Sequence, residues 1–432
     1  MYKLKQAVVF PVKNFTEIKI KLLNWSKQFG SFCLLDNHQY HFNEPAFECL
    51  LAAGSKHSIQ LNSGNAFALL KKFSLQYPGE WLFGHLGYEL KNETEQLQSN
   101  NFDGIQFPDA HFFVPEIVIK LDEQQLSIYS DKPAELVVED IYATEINDTI
   151  AGSEKIAIQQ RISKEDYIEA VKHIQGHILR GDCYEINFCQ EFFVQPALID
   201  PVKIYQSLST ISPVPFAALY RLNDQYCICA SPERYLKKTG TKIISQPIKG
   251  TSRRNLIDSH SDSLSKQQLQ NSAKEKAENI MIVDLVRNDL SKICKEGSVK
   301  AEELFSIYSF PQVHQMMSTV SGEIENDLHW TDAVKATFPM GSMTGAPKKR
   351  VLELIDEYEQ TKRGLFSGAI GYIDSDGDFD FNVVIRSILY NKKAHYLSFQ
   401  AGSAITFYSN AEAEYDECIL KAAAITKALQ GG

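Results

Sequence analysis

Four groups of residues in this chain combine types and spacings that chemistry can use. The first is Gln246-Pro247-Ile248-Lys249-Gly250-Thr251, which sets a lysine at a strand end between proline and glycine. A lysine is a nucleophile only as the neutral amine, a state that burial or nearby cations favour. An arbitrary lysine is a solvated surface group. The second group is a Glu-x-x-Glu pair on each of two helical stretches, Glu275 with Glu278 and Glu414 with Glu417. That spacing puts both members of a pair on one helical face. Two such faces meeting would form an oxygen-rich cage for a hard ion such as Mg²⁺, whereas one pair alone is usually a solvated face. The third is Arg386, which alternation along residues 381–389 aligns with Asn382, Val384 and Ile388. Burying a guanidinium there is costly unless an anion meets it. Its planar fork suits a carboxylate, either a substrate's or one of the protein's own. The fourth is the Gly/Ser/Thr loop Phe338-Pro339-Met340-Gly341-Ser342-Met343-Thr344-Gly345-Ala346-Pro347-Lys348, entering a helix at Pro347. Proline in the first helical position, with free backbone N–H groups before it, makes either an anion seat or a structural turn. The phosphate-binding G-x-x-x-x-G-K-[ST] pattern is not there, so the loop does not point to a nucleotide.

Periodicity and breakers predict the elements that position these groups. They give a helix over 164–180 stopped by Gly181, strands over 225–230 and 242–248, and a long helix within 267–294. A hairpin follows over 367–373 and 379–390, closed at Ser375-Asp376-Gly377, then a strand over 396–400 and a closing helix over 412–429. Strands in runs with helices between them predict an α+β class. Residues 1 to about 125 read as mixed strands and helices around Trp81-Leu82-Phe83-Gly84-His85-Leu86-Gly87-Tyr88-Glu89, and 131–153 as an acidic, weakly patterned connection. An N-terminal region of 1–150 and a catalytic region of 160–430 follow. Asp374-Ser375-Asp376-Gly377-Asp378-Phe379-Asp380 has a calcium-loop flavour, but no glycine stands at position six nor glutamate at twelve, so a polar hairpin turn is expected.

Composition narrows the function classes. The 432 residues are 44% hydrophobic and 23% charged, enough for a large core without disulfides. Eight cysteines form no C-x-x-C pair and have no histidine at zinc spacing, so reduced thiols and a cytoplasmic setting are expected. The start, Met1-Tyr2-Lys3-Leu4-Lys5, does not read as a signal peptide, and no apolar run is long enough to span a membrane. A net charge of −10 argues against nucleic acid as partner. It also means that an anionic substrate would need particular cations, or a metal, at its site.

Taken in order, several segments resemble the chorismate-utilising enzymes. They are Gly181-Asp182-Cys183-Tyr184-Glu185-Ile186-Asn187, Ser231-Pro232-Glu233-Arg234, Pro247-Ile248-Lys249-Gly250-Thr251 and the stretch EKAENIMIVDLVRNDL over 275–290. So are His314, the 341–348 loop, 368–372, Ile385-Arg386-Ser387, Ala401-Gly402 and the Glu414–Glu417 pair. The resemblance is strong over about 160–425 and fainter before. It implies an α+β fold of one large intertwined unit, with two packed β-sheets over the active-site cleft and helices outside. Lysine at 249 marks the members that aminate chorismate to 4-amino-4-deoxychorismate, for para-aminobenzoate and folate synthesis; members that form anthranilate carry alanine there. The implied chemistry is attack of Lys249 on ring C2 with loss of the C4 hydroxyl, then addition of ammonia at C4 and expulsion of the lysine. Glu233 is the implied general acid/base, and His314 matches a histidine near the reacting ring. Glu278 and Glu417 match Mg²⁺ ligands, with Glu275 and Glu414 in support. Arg386 and Tyr372 match positions on the pyruvyl side, Gly250, Thr251, Gly402 and Ser403 the pocket lining, and Lys348 a further substrate contact. Ammonia in the family comes from a separate glutaminase subunit. This chain has no G-x-C-x-G nucleophile elbow, so such a partner is expected.

The chain departs from the family pattern in places. Glu185 stands where glutamine is usual, Ala404 lies in a loop that is normally richer in glycine, and Ser387 replaces a threonine. The L-L-E-S motif tied to tryptophan sensing would fall at Leu50-Leu51-Ala52-Ala53 and is absent. Three rival readings remain: anthranilate formation, opposed by Lys249; a binding-only relative, opposed by the intact acidic pairs; and isochorismate formation, which expects a lysine near Glu185.

Overall fold

The computed structural model describes residues 7–41, 44–146, 156–310, 313–325 and 328–431. The first five residues, and the connection expected over 131–153 from residue 147 onward, lie outside the described residues. The earlier part of that connection is not irregular: the helix Ala134–Ala143 follows the strand Gln125–Ser130. Its buried Ala134, Val137 and Ile141 recur at helical spacing.

Among the described residues the strands form two sheets, one of 12 strands and one of 10. The larger sheet runs from Val8–Pro11 at one edge, through Ser31–Asp36, Phe216–Leu222, Gln225–Ser231, Ser387–Asn391 and Tyr396–Ile405, to Glu185–Val194. The smaller runs from Ile248–Arg253 through Val313–Glu323, Lys242–Gln246, Arg234–Thr239, Phe379–Val383 and Ala369–Ile373 to Leu82–Leu86 and beyond. Each sheet draws strands from both ends of the chain. With helices packed outside, this is the mixed α+β architecture of two packed sheets.

Alternation sorts the core. Along Glu185–Val194, Ile186 and Phe188 join an apolar cluster with Tyr167 and Val171 of the helix Lys164–Leu179 and with Cys418 and Ala422 of the helix Ala411–Leu429. The opposite face of that strand, Glu185, Asn187 and Cys189, turns the other way. A second cluster runs through the smaller sheet and its helices, reaching Cys33, Ala218 and Tyr220 of the larger sheet. Helices thus cover one face of the larger sheet, and the other face is left to meet the smaller sheet and build a cleft.

Three expected elements are divided: the strand over 242–248 ends at Gln246, and beyond Pro247 a new strand, Ile248–Arg253, begins. The helix within 267–294 is two helices, Ser259–Asn271 and Ala273–Ser291, broken at Ser272. The Ser272 side chain accepts from the Glu275 N–H at 3.3 Å and caps the second helix. The strand over 379–390 is likewise two strands in different sheets, Phe379–Val383 and Ser387–Asn391. Arg386 lies between them with φ +50°, so it shares no strand face with Asn382 and Ile388. Its neighbour crosses in step: Gln225–Ser231 lies in the larger sheet and Arg234–Thr239 in the smaller, with Pro232 and Glu233 between. Hydrogen bonds join the two crossings, from Ala230 N–H to Arg386 O at 3.2 Å and from Val383 N–H to Glu233 O at 3.0 Å.

Candidate active site

The strand Ile248–Arg253 is an edge of the smaller sheet, and its register against Val313–Glu323 slips between Ile248 and Thr251. Lys249 and Gly250 occupy that irregularity. Gly250 has φ +92°, and a Cβ there would lie 2.9 Å from Glu275 Oε2. Glycine is required on both counts. Lys249 Nζ points at Glu185 of the larger sheet and donates to Oε1 at 2.9 Å, with side-chain exposures of 10% and 1%. Burial alone would push the amine down, but Glu185, and behind it Glu278 and Glu233, outweigh it and hold the ammonium above the ordinary lysine range. Cations near the lysine were one expected route to a neutral amine; the structure surrounds it with carboxylates instead, so the resting nitrogen carries its proton.

Glu233 sits on the crossing between the sheets with 4% exposure. Burial pushes its carboxyl up to about 7, against the opposing pull of the Ser342 hydroxyl, Lys249 and Arg386. A carboxyl poised near neutrality is suited to give and take a proton at physiological pH. Arg386, on the adjoining crossing, makes no ion pair or side-chain hydrogen bond among the described residues. Burial lowers its guanidinium and Glu233 raises it, with burial the stronger. A half-buried guanidinium that no protein carboxylate bonds is suited to receive an anion from outside.

The two Glu-x-x-Glu pairs lie in the opening turns of their helices. Ser272 caps Ala273–Ser291, and Asn410 caps Ala411–Leu429 by accepting from the Glu412 and Ala413 N–H groups. Helix N-termini favour negative charge, so both pairs are placed where acids are tolerated close together. The pairs meet: Lys274 Nζ lies 3.8 Å from Glu278 Oε1 and 3.9 Å from Glu414 Oε1. Burial pushes Glu278 up to about 7 and raises Glu275 as well, and the buried Glu278 Oε1 has no hydrogen-bond partner. Glu414 is 3% exposed, and Glu417 pairs with Lys421 at 2.8 Å while also lying in the field of Lys274 and Lys249. Among the described residues no three acidic, His or Cys side chains form a ready-made metal cluster. Mg²⁺ does not need one, since it is usually bound by one or two carboxylates plus waters and substrate oxygens. An orphaned buried carboxylate oxygen and a lysine ammonium already bridging the two helices fit such an ion.

Other expected site residues are placed elsewhere. His314 is 1% exposed and held by Ser309 Oγ at 2.8 Å and Asp262 Oδ1 at 3.2 Å, the latter also bound by Arg254. Lys348 Nζ is taken up by Asp289 at 2.7 Å, at the far end of the helix Ala273–Ser291 that carries Glu275. Tyr372 packs against Phe47, Trp81 and Phe83 and lines a separate cavity with Asp36, Asn37 and Asp380. Along Tyr396–Ile405, Gly402 pairs with Cys189 and Ser403 with Phe188, so the two point to opposite faces. Ser403 therefore faces Tyr167 on the helix side, at 3.5 Å, and only its backbone is left to the cleft. A Cβ at Gly402 would strike Phe188 O at 2.0 Å, so close strand packing alone demands glycine. Thr251 is exposed on the edge strand. The 341–348 loop is not an open anion seat. Gly345 and Ala346 pair with Ile186 and Glu185, and Pro347 is the cap of Lys348–Tyr358 rather than its first residue.

That loop supplies residues whose roles the sequence left unassigned. Ser342 reaches the Glu233 carboxyl, and Asn187 donates to Ser342 O at 3.0 Å. Arg363, 1% exposed, fixes the wall: it donates to Glu359 at 2.7 and 2.9 Å, to Met343 O at 2.7 Å and to Asn187 O at 2.7 Å. Glu359 in turn accepts from the Cys189 N–H at 2.9 Å. The Ser342 hydroxyl was visible in the motif, but only contact between sheets shows that it serves Glu233.

With this geometry in hand, comparison with known proteins places the chain. The chorismate binding enzyme family matches residues 30–427, and the chain belongs to that family. It is similar to aminodeoxychorismate synthase component 1 of Klebsiella aerogenes, 35% identical over 338 residues, covering 77% of this chain and 74% of that one. The protein of the same name from Escherichia coli K12 is 34% identical over 352 residues, covering 80% and 76%. Among solved structures, anthranilate synthase component I from Streptococcus pneumoniae superposes with a TM-score of 0.78 at 26% identity, covering 90% of this chain and 94% of that one.

Proposed function

We propose that the chain is an aminodeoxychorismate synthase component I, which converts chorismate and ammonia to 4-amino-4-deoxychorismate for para-aminobenzoate and folate synthesis. The observation that carries this reading is Lys249, buried in the cleft against Glu185 and within the field of Glu233, whose carboxyl burial pushes up to about 7. Lys249 supplies the nucleophile for C2 of the ring, and Glu233, held by Ser342, delivers the proton with which the C4 hydroxyl leaves as water. Arg386 receives a substrate carboxylate. Of the remaining expected contacts, Gly250 and Gly402 act by letting backbone approach closely. His314 acts only through the Asp262 and Ser309 contacts that hold it, and Tyr372, Lys348 and the Ser403 side chain take no direct part.

Glu278 and Glu417 would hold Mg²⁺, with Glu275 and Glu414 in support, and the ion would supply positive charge to a substrate carboxylate on an otherwise acidic protein. Ammonia would come from a glutaminase subunit. Among the described residues no helix is long and apolar enough to cross a membrane, and all eight cysteines are free and buried; we place the enzyme in the cytoplasm on the strength of those thiols.

The test is incubation of the purified chain with chorismate, Mg²⁺ and ammonium chloride, followed by mass spectrometry of product and protein. A non-fluorescent aminated chorismate, lost in Lys249→Ala, is expected. Fluorescent anthranilate, or full activity in Lys249→Ala, would refute the reading.

A further inference from the structure

If Lys249 is the nucleophile, its resting proton has to go somewhere before the nitrogen can attack, and one neighbouring group is placed to take it. Glu185 Oε1 lies 2.9 Å from Nζ, and the carboxylate is 1% exposed. Its second oxygen, Oε2, is buried without a hydrogen-bond partner, so Lys249 is the one donor assigned to this side chain among the described residues. The strand carrying it is held rigid, because Asn187 O two residues on is bound by Arg363 and Ala346 pairs with Glu185 itself. The other charged groups acting on Lys249 are Glu233 on the crossing, Glu275 and Glu278 on the helix Ala273–Ser291, and Glu417 on the helix Ala411–Leu429. None of these lies within salt-bridge distance of Nζ.

We infer that Glu185 is a catalytic base, accepting the Lys249 proton as the nitrogen attacks the ring and returning it when the lysine is released. This rests on the reading of Lys249 as nucleophile and deepens it. In the first half-reaction the ammonium gives one proton to Glu185, and the freed electron pair forms the N–C2 bond. The two ring double bonds each move one place, the C4–O bond breaks, and the hydroxyl leaves as water with the proton of Glu233. In the second half-reaction ammonia forms the C4–N bond and the double bonds move back. The Nζ–C2 bond breaks with its pair returning to nitrogen, which recovers the proton from Glu185. The ammonium formed at C4 gives its extra proton to Glu233. Both carboxyl groups and the lysine end as they began, and the sum is chorismate plus ammonia giving product plus water.

The test isolates the first half-reaction. Wild type, Glu185→Gln and Glu185→Asp are mixed with chorismate and Mg²⁺ without ammonia, quenched at intervals and weighed intact. Glutamine keeps an acceptor oxygen for Lys249 but cannot take a proton. Glu185→Gln is expected to form the adduct at least tenfold more slowly near pH 7, within the range of roughly 10²–10⁴-fold typical of a lost general base or just below it. The deficit should shrink as the pH is raised and solvent takes over, while chorismate affinity stays within about threefold. Glu185→Asp, which keeps a base set back by one methylene, should retain the wild-type pH profile at a reduced rate, and it carries the test should the glutamine variant not fold. Adduct formation by Glu185→Gln at the wild-type rate and with the wild-type pH profile would overturn the base role alone. So would a Glu185→Asp profile that differs from wild type. A wild-type chain that turns chorismate over with no mass gain on Lys249 would overturn the nucleophile reading, and this role with it.

Discussion

Replacing Glu233 by glutamine should remove activity and stabilise the protein, with the second effect appearing only where the carboxyl would ionise. The fold holds Glu233 at about 7 against an ordinary 4.5. At roughly 1.4 kcal/mol per pH unit, that gap is worth about 3 kcal/mol. A carboxyl raised in the fold contributes stability that is fully present below about 4.5 and is lost as pH rises through about 7. Glutamine cannot ionise and escapes the loss. Glu233→Gln should therefore exceed wild type by less than about 1 kcal/mol near pH 5 and by up to about 3 kcal/mol at pH 8. For 432 residues, unfolding entropy of about 2.1 cal/mol/K per residue converts this to a rise of about 3 °C in Tm. The activity arm is read as adduct formation without ammonia, which keeps ammonia's own titration out of the profile. Wild type should lose rate above about pH 7, by nearly tenfold per pH unit, as the proton to be donated disappears. Glu233→Gln should be slower by roughly 10²-fold or more at pH 7. Calorimetry at pH 5 and 8 and quenched mass spectrometry across the same range decide it. The reasoning fails if the variant forms adduct within tenfold of wild type, or if its Tm advantage is the same at both pH values.

Three further outcomes are expected. Arg386→Lys keeps the charge but loses the fork, so KM for chorismate should rise roughly 10–100-fold with an unchanged circular dichroism spectrum, as judged by steady-state kinetics. Glu278→Gln removes the buried carboxylate beside Lys274; the Mg²⁺ concentration for half-maximal activity should rise at least about tenfold, and EDTA should silence wild type reversibly. His85 and His111 both contact the Tyr220 hydroxyl, and burial lowers them to about 4 and about 3. Such groups contribute stability that is present above about 6.5 and is lost as pH falls towards 4 and below, so Tm should drop over that window. His111→Phe should flatten the drop, as followed by thermal melts at successive pH values.

Much of this site was legible because local sequence fixes local geometry. The i, i+3 acids needed only a helix, although the Ser272 cap that begins one of the two lay inside a stretch that reads as continuous helix. Pro247 and Gly250 put Lys249 at a strand end, and the structure sets it near the start of the next strand, Ile248–Arg253. What the sequence could not convey depends on which sheet a strand joins. Residues 379–390 alternate like one strand, yet the chain changes sheets at Val384–Arg386, since neither hydrophobic pattern nor propensity records that event. The same blindness hid the partner of Lys249, because Glu185 is distant in sequence and meets it only across the cleft. Tyr372 and Lys348 match motif positions by type, but Tyr372 lies in an aromatic cluster and Lys348 is spent on Asp289. At Ser403 alternation decides which part can line a pocket: the side chain faces Tyr167, and only the backbone is left to the cleft beside Gly402.

The paired crossings make the distance between the sheets a functional quantity. Glu233 and Arg386 belong wholly to neither sheet; each is suspended on two or three residues strung between them, and Lys249 and Glu185 face each other from opposite sides of the same gap. Proton donor, anion receptor and nucleophile are therefore gauged by one spacing, as jaws are by a single screw. A substitution in the layer between the sheets, at Ala218 or Cys229 for instance, would alter all three settings at once without touching substrate. Tolerance to change in that layer should accordingly be governed by turnover well before it is governed by folding.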